Sequence, residues 1–161
     1  MPELSKANKI IEHELFIKSL SIIEECEKDR IYCRHNMAHF LDVARAGMLF
    51  ILERDYDITA DVMYGAALTH DLGRAREYTD GTPHDQAGVE IAQKILHDCG
   101  YKDAEVAEII MAIAAHRIKD SGMKLAEVLY EADKRTRPCF ACPAADTCNW
   151  PDEKKNLKLT V

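Results

Sequence analysis

Leu68-Thr69-His70-Asp71-Leu72-Gly73-Arg74 ends an apolar run with an imidazole and a carboxylate side by side, two ligand types that catalytic Zn, Mn and Fe sites use together. The run leading into it starts at Thr59, a candidate N-cap, and carries Asp61 in its first turn. Ala60, Met63, Tyr64, Ala67, His70 and Asp71 then trace the inner side of a helix. Gly73 supplies the stop. Successive helical residues point about 100° apart, yet at a helix end both His70 and Asp71 can reach one centre or a pair of centres. Asp71 has a plainer alternative, which is to cap the helix or pair with Arg74.

Outward from this stretch the periodicity stays helical. Residues 34–53 read as a helix with His35, His39, Val43, Ala46 and Phe50 on one face. Two histidines one turn apart therefore look into the core, where a lone histidine is commonly a hydrogen-bonded packing residue. Residues 74–81 are charged and turn-like. Thr82-Pro83-His84-Asp85 reads as a helix start, with Thr82 as cap and Pro83 at the first position. That helix runs to Cys99 and Gly100 ends it. His84, Gly88, Ile91, Ala92 and Ile95 share its inner face, whereas His97 lies with Glu90 and Gln93 on the polar side. Gly88 leaves room for a metal centre or for a close neighbouring helix. Asp103 is the expected cap of a further helix with Val106, Ile109, Ile110 and Ile113 as buried stripe and His116 at its end. Leu125, Val128, Leu129 and Ala132 mark one more, with Asp133 at the rim, open to a ligand role or to pairing with Arg135 or Arg137.

The flanks add a scaffold and an appendage. Residues 8–28 read as one helix through Ile11, Leu15, Phe16, Leu20 and Ile23, with His13 a partly solvated residue. Only Leu157–Val161 alternates like a strand. The class is therefore all-α, a compact domain of about six to seven helices over residues 1–137, followed by a cysteine-rich tail over 138–161. In the tail, Cys139, Cys142 and Cys148 form a Cys-x₂-Cys-x₅-Cys knuckle between Pro138 and Pro151. Three thiolates converge readily on zinc or an iron–sulfur cluster, with Cys33 or Cys99 as a fourth ligand; reduced thiols without metal, or a disulfide, are the alternatives.

His39-x-x-x-Val43, His70-Asp71, His84-x-x-x-Gly88, His116 and Ala132-Asp133 follow one another as in the HD superfamily of metal-dependent phosphohydrolases, which this chain resembles from about residue 34 to 134. The resemblance implies a helical core and a metal set of His39, His70, Asp71 and Asp133. His84 and His116 would add a second ion, with Asp71 as the bridge and His35 as an extra ligand or phosphate contact. It implies two divalent transition metals, Fe or Mn, or else Zn, Co or Ni. Such ions activate a hydroxide and neutralise phosphate oxygens during in-line attack, so the catalytic pair is His70 and Asp71. Arg74, Arg76, Arg117, Lys119 and Lys134 lie near the ligand positions and are candidates for holding further phosphates. The arrangement is similar to small bacterial enzymes that cleave dinucleoside polyphosphates and to the HD-GYP phosphodiesterases, although the Gly-Tyr-Pro motif of the latter is absent. The expected function is hydrolysis of a phosphate ester or anhydride of a nucleotide or related small molecule. Its rivals are a di-iron oxygenase of the HD type and a nucleotide- or metal-sensing module with little turnover.

Composition narrows the partners. The 161 residues suffice for one domain with a real core. A formal charge of −7, with no long basic run, argues against a duplex nucleic-acid surface. An acidic protein acting on an anionic substrate needs local cations, which bound metal would supply. The leading residues contain no apolar stretch of signal-peptide type, and no segment approaches the ~20 apolar residues of a membrane span. Six cysteines in that context point to reduced thiols or metal ligands and to a cytoplasmic protein. Oligomeric state is left open.

Overall fold

A computed structural model describes residues 3–159, among which every regular element is helical. Eight α-helices follow in order: α1 Ser5–Glu12, α2 Glu14–Cys26, α3 Met37–Glu53, α4 Ala60–Thr69, α5 Arg74–Asp80, α6 His84–Asp98, α7 Asp103–Ala115 and α8 Lys124–Arg135. Three short 3-10 turns make up the tail. None of the helices is long and apolar enough to cross a membrane.

The hydropathy of α4 decides the packing. Val62, Met63, Gly65, Ala66, Ala67, Leu68 and Thr69 are all buried, so apolar side chains face every direction. A helix of that kind belongs in the middle, and α4 touches α1, α3, α6, α7 and α8. Around it Phe16, Phe40, Leu72, Ile95, Ile109, Ile113 and Leu129 are essentially inaccessible, each contributing about 1.5–3 kcal/mol of burial free energy. Thr59 caps α4 as expected, its hydroxyl accepting from the Val62 amide.

Several boundaries differ from the sequence reading, each for a local reason. The single helix expected over 8–28 is broken at His13, which leaves helical geometry (φ −72, ψ 129) and caps α2 by accepting from the Leu15 amide. Its other ring nitrogen lies 3.0 Å from Asp98. The helix expected from Arg34 starts at Met37, because the Asn36 side chain accepts from the His39 amide at 3.0 Å and fixes the cap there. Residues 74–80, expected as a turn, are the helix α5. Ala75 is its one buried residue, too few for a periodic signal, and Gly81 ends it at φ 77. Thr82 bonds Asp80 and Arg76 and does not cap α6, whose cap position is Pro83. Lys102, not Asp103, precedes α7, its amide donating to the Glu105 carboxylate at 2.8 Å. Leu157–Leu159 form no strand, and residues 160 and 161 of that expected segment lie outside the described residues.

The tail folds back on the end of α8. The Asn156 amide donates to the carbonyls of Lys134, Arg135 and Arg137 at 2.7, 3.2 and 2.8 Å, satisfying acceptors that a helix end leaves open.

Candidate metal centre

The break between α4 and α5 holds His70 and Asp71. His70 is the C-cap of α4, and the next residues wind tightly, with Leu72 N donating to Thr69 O and Arg74 N to Asp71 O. Both side chains are buried. His39 enters from the first turn of α3, His84 is the first residue of α6, His116 is the C-cap of α7, and Asp133 projects from α8. Asp133 was expected at a helix rim; it is 4% exposed, because α8 packs that face against α3 and α4.

These residues form two overlapping groups. His39, His70, Asp71 and Asp133 each present one nitrogen or oxygen within 4.8 Å of the others, as do Asp71, His84 and His116. Asp71 belongs to both. The imidazoles run edge to face, with centroids 5.6 Å apart for His39 and His70, 6.0 Å for His70 and His116, and 6.1 Å for His84 and His116.

Outer partners aim the rings. His70 Nδ1 donates to Ala67 O at 2.7 Å, His116 Nδ1 to Ile113 O, and His84 Nδ1 to Glu77 at 2.9 Å. Anchoring Nδ1 leaves Nε2 as the free lone pair, the arrangement that orients metal-binding imidazoles. His70 Nε2 and His84 Nε2 are buried with no hydrogen-bond partner. An orphaned buried acceptor costs about 1–3 kcal/mol, and a cation placed between the two groups removes that cost. The donor set and these orphaned atoms thus fit divalent metal.

Burial and charge set the protonation states. Burial holds His39 down to about 4, against the pull of Asp133, so its ring is neutral at pH 7. Burial likewise lowers His116, and a protonated His70 would lower it further. Complete burial opposes charging His70, but Asp71 and Asp133 outweigh it and raise its pKa. Burial would raise both carboxyls; His70 and Arg74 instead hold Asp71 far below the usual range, and His39, His70 and Arg137 do the same for Asp133.

His35 precedes α3 in extended chain and stands outside both groups, with Nε2 3.6 Å from Asp71. Glu27 holds it, accepting from its amide and from Nδ1, both at 2.7 Å, and from the Tyr78 hydroxyl at 2.6 Å. Glu27 and Glu77 escaped the sequence reading because each stands in an ordinary run of surface-like charges. Arg137 did too. Rather than pairing on the surface, it donates to Asp133 Oδ1 at 3.1 Å and His39 Nε2 at 2.9 Å and is 7% exposed.

Above the centre opens a cavity of about 1360 Å³ whose walls include Asp71, His116 and Asp133. Arg74, Arg117, Lys119 and Lys134 line it, together with Arg30, Arg54, Arg135 and Arg137. Arg74 bonds Asp71 at 3.0 Å and Lys134 bonds Asp133 at 2.6 Å. Arg76 does not line it, being occupied by Glu90, Asp80 and Thr82. Tyr32, Tyr130 and the tail residue Trp150 form the remaining aromatic wall. His97 sits on the outer face of α6, 3.9 Å from Asp103.

With this geometry in place, comparison with known proteins is decisive, since the HD domain family matches residues 36–139. The chain belongs to the HD domain family. Its members of this type are metal-dependent phosphohydrolases, and the buried His, His-Asp and Asp of this HD domain accord with that class. The matched span holds all six residues of the two groups and stops at the first cysteine of the tail. An uncharacterized protein of Clostridium beijerinckii is 40% identical over 156 residues, 97% of this chain and 99% of its own length. Ribonuclease Y 1 of Pediococcus pentosaceus is 32% identical over 104 residues, 65% of this chain and 18% of its own length. This HD protein therefore spans less than a fifth of that relative. No solved structure matches significantly.

Cys139, Cys142 and Cys148 do not converge at single-ion spacing, since no group of three cysteine sulfurs lies within 4.8 Å. Of the two candidate fourth ligands, Cys33 lines the same cavity as these three, whereas Cys99 is buried elsewhere, beside Asp98 and Lys9.

Proposed function

We propose that this HD protein hydrolyses a phosphate ester or anhydride of a nucleotide or similarly sized molecule, using two divalent ions. The observation that carries the reading is a pair of buried ligand groups sharing Asp71, two of whose imidazole nitrogens lack any partner, at the floor of a cation-lined cavity. His39, His70, Asp71 and Asp133 would hold one ion, and Asp71, His84 and His116 the other. Ions held there would supply a nucleophilic hydroxide at neutral pH and positive charge to balance the phosphate oxygens during in-line attack. The chain does the rest. Arg74, Arg117, Lys119 and Lys134 bind phosphate oxygens; Glu77 and the Ala67 and Ile113 carbonyls keep three imidazoles in the tautomer that presents Nε2. Tyr32, Tyr130 and Trp150 offer apolar faces for a base.

A relative named as a ribonuclease points to the same bond type. The net charge of −7 favours a small substrate over a long polyanion. The test is metal content of protein purified without chelator, followed by a phosphate-release screen over nucleotides with Mn²⁺ or Fe²⁺. About two ions per chain and release that ceases on chelation support the proposal. Protein that binds no metal, or that consumes oxygen with iron and releases no phosphate, overturns it.

A further inference from the structure

We propose that Cys33, Cys139, Cys142 and Cys148 bind a [4Fe–4S] cluster beside the helical centre. This site stands apart from the phosphohydrolase reading and does not depend on it.

Two 3-10 turns, Cys139–Ala141 and Ala145–Thr147, carry or adjoin the tail thiols, with Cys142 N donating to Cys139 O at 3.2 Å and Cys148 N to Ala145 O at 3.4 Å. The fourth thiol arrives from the loop between α2 and α3, and that loop is tied to the tail on both sides of Cys33. The Tyr32 hydroxyl donates to Thr147 O at 3.1 Å, beside Cys148. Arg137 Nη1 donates to Arg34 O at 3.1 Å, two residues before Cys139. All four sulfurs are free, and the four residues line one cavity of about 690 Å³.

Cys139, Cys142, Cys148 and Arg137 all lie close enough to Cys33 to act on its thiol electrostatically. Thiols gathered around a shared cavity become thiolate ligands once a metal binds them.

The spacing is wider than a single ion needs. A tetrahedral zinc with Zn–S of about 2.3 Å draws its sulfurs to about 3.8 Å of one another. Here no three sulfurs lie within 4.8 Å. A cubane with irons on alternate corners, each carrying one outward thiolate, holds the sulfurs farther apart than a single ion does. The prolines at 138, 143 and 151 stiffen the surrounding backbone.

The full chain, produced with ample iron and purified without oxygen, is assayed for iron, zinc, acid-labile sulfide and visible absorption. The expected result is about four sulfides per chain with a broad brown absorption. Sulfide distinguishes this site from iron held by histidines and aspartates. C33S and C142S should each lose sulfide and colour while keeping helical circular dichroism, and C99S should keep both. About one zinc per chain without sulfide, wild-type protein without sulfide or colour, or a cluster that survives C33S would each overturn the assignment.

Discussion

Gly73→Ala tests whether the close approach of two backbones builds the centre. Gly73 has ordinary right-handed helical geometry (φ −59, ψ −21), so alanine meets no conformational penalty there. The obstacle is steric. An added Cβ would run into the His84 carbonyl oxygen and lie 2.5 Å from Gly88 N and 2.8 Å from Gly88 Cα. All three are backbone atoms of α6, so no side chain can swing aside, and the helix must retreat by about 1.5–2 Å to restore ordinary contact. Overpacking costs about 1–3 kcal/mol, and a rigid backbone neighbour places this site at the top of that range. For a domain of this size about 3 kcal/mol lowers Tm by about 6–12 °C. The same retreat carries His84 away from Asp71, so the metal-to-protein ratio should fall as well. Gly88→Ala is the control on the opposite wall. Its Cβ would meet Gly73 N at 3.7 Å, ordinary contact, and mid-helix alanine gains up to about 1 kcal/mol over glycine. Thermal melting in chelator isolates the packing effect, and metal analysis reads the second. A G73A protein that melts with wild type and keeps its metal would refute the reasoning.

Three further outcomes are expected. Asp71→Ala should cut turnover at least about 10³-fold while leaving the helices intact, whereas His97→Ala, on the outer face of α6, should match wild type; comparable losses in a phosphate-release assay would show the centre misassigned. His84→Ala should lower the metal content from about two ions per chain to about one, leaving the group around His39; loss of both ions, or of neither, on elemental analysis would contradict two sites. In Glu27, burial is outweighed by hydrogen bonds from His35 and Tyr78, which lower its pKa to about 2 from 4.5. Because the folded pKa is the lower one, this stabilisation is complete above pH 4.5 and fades as the pH falls towards 2. Urea melts should therefore show a shallower acid limb for E27Q, and an unchanged slope would remove Glu27 from that role.

The order of the imidazoles and carboxylates along the chain, and the helical period that turns them inward, are properties of the sequence alone. His39, His84 and His116 continue apolar stripes, and burial follows from periodicity because a helix has only one face to hide. The same reading could not see α5, whose charges pair within the helix and between neighbours, nor the break at His13, which a ring nitrogen capping its own chain creates. Tertiary structure alone decided that Glu27 and Glu77 hold histidines eight and seven residues away, and that Arg137 turns inward to Asp133 and His39. It also chose Cys33 over Cys99 as neighbour of the tail thiols. Each of these depends on how one segment packs against another, and a periodic pattern states which face is buried but not what stands opposite it.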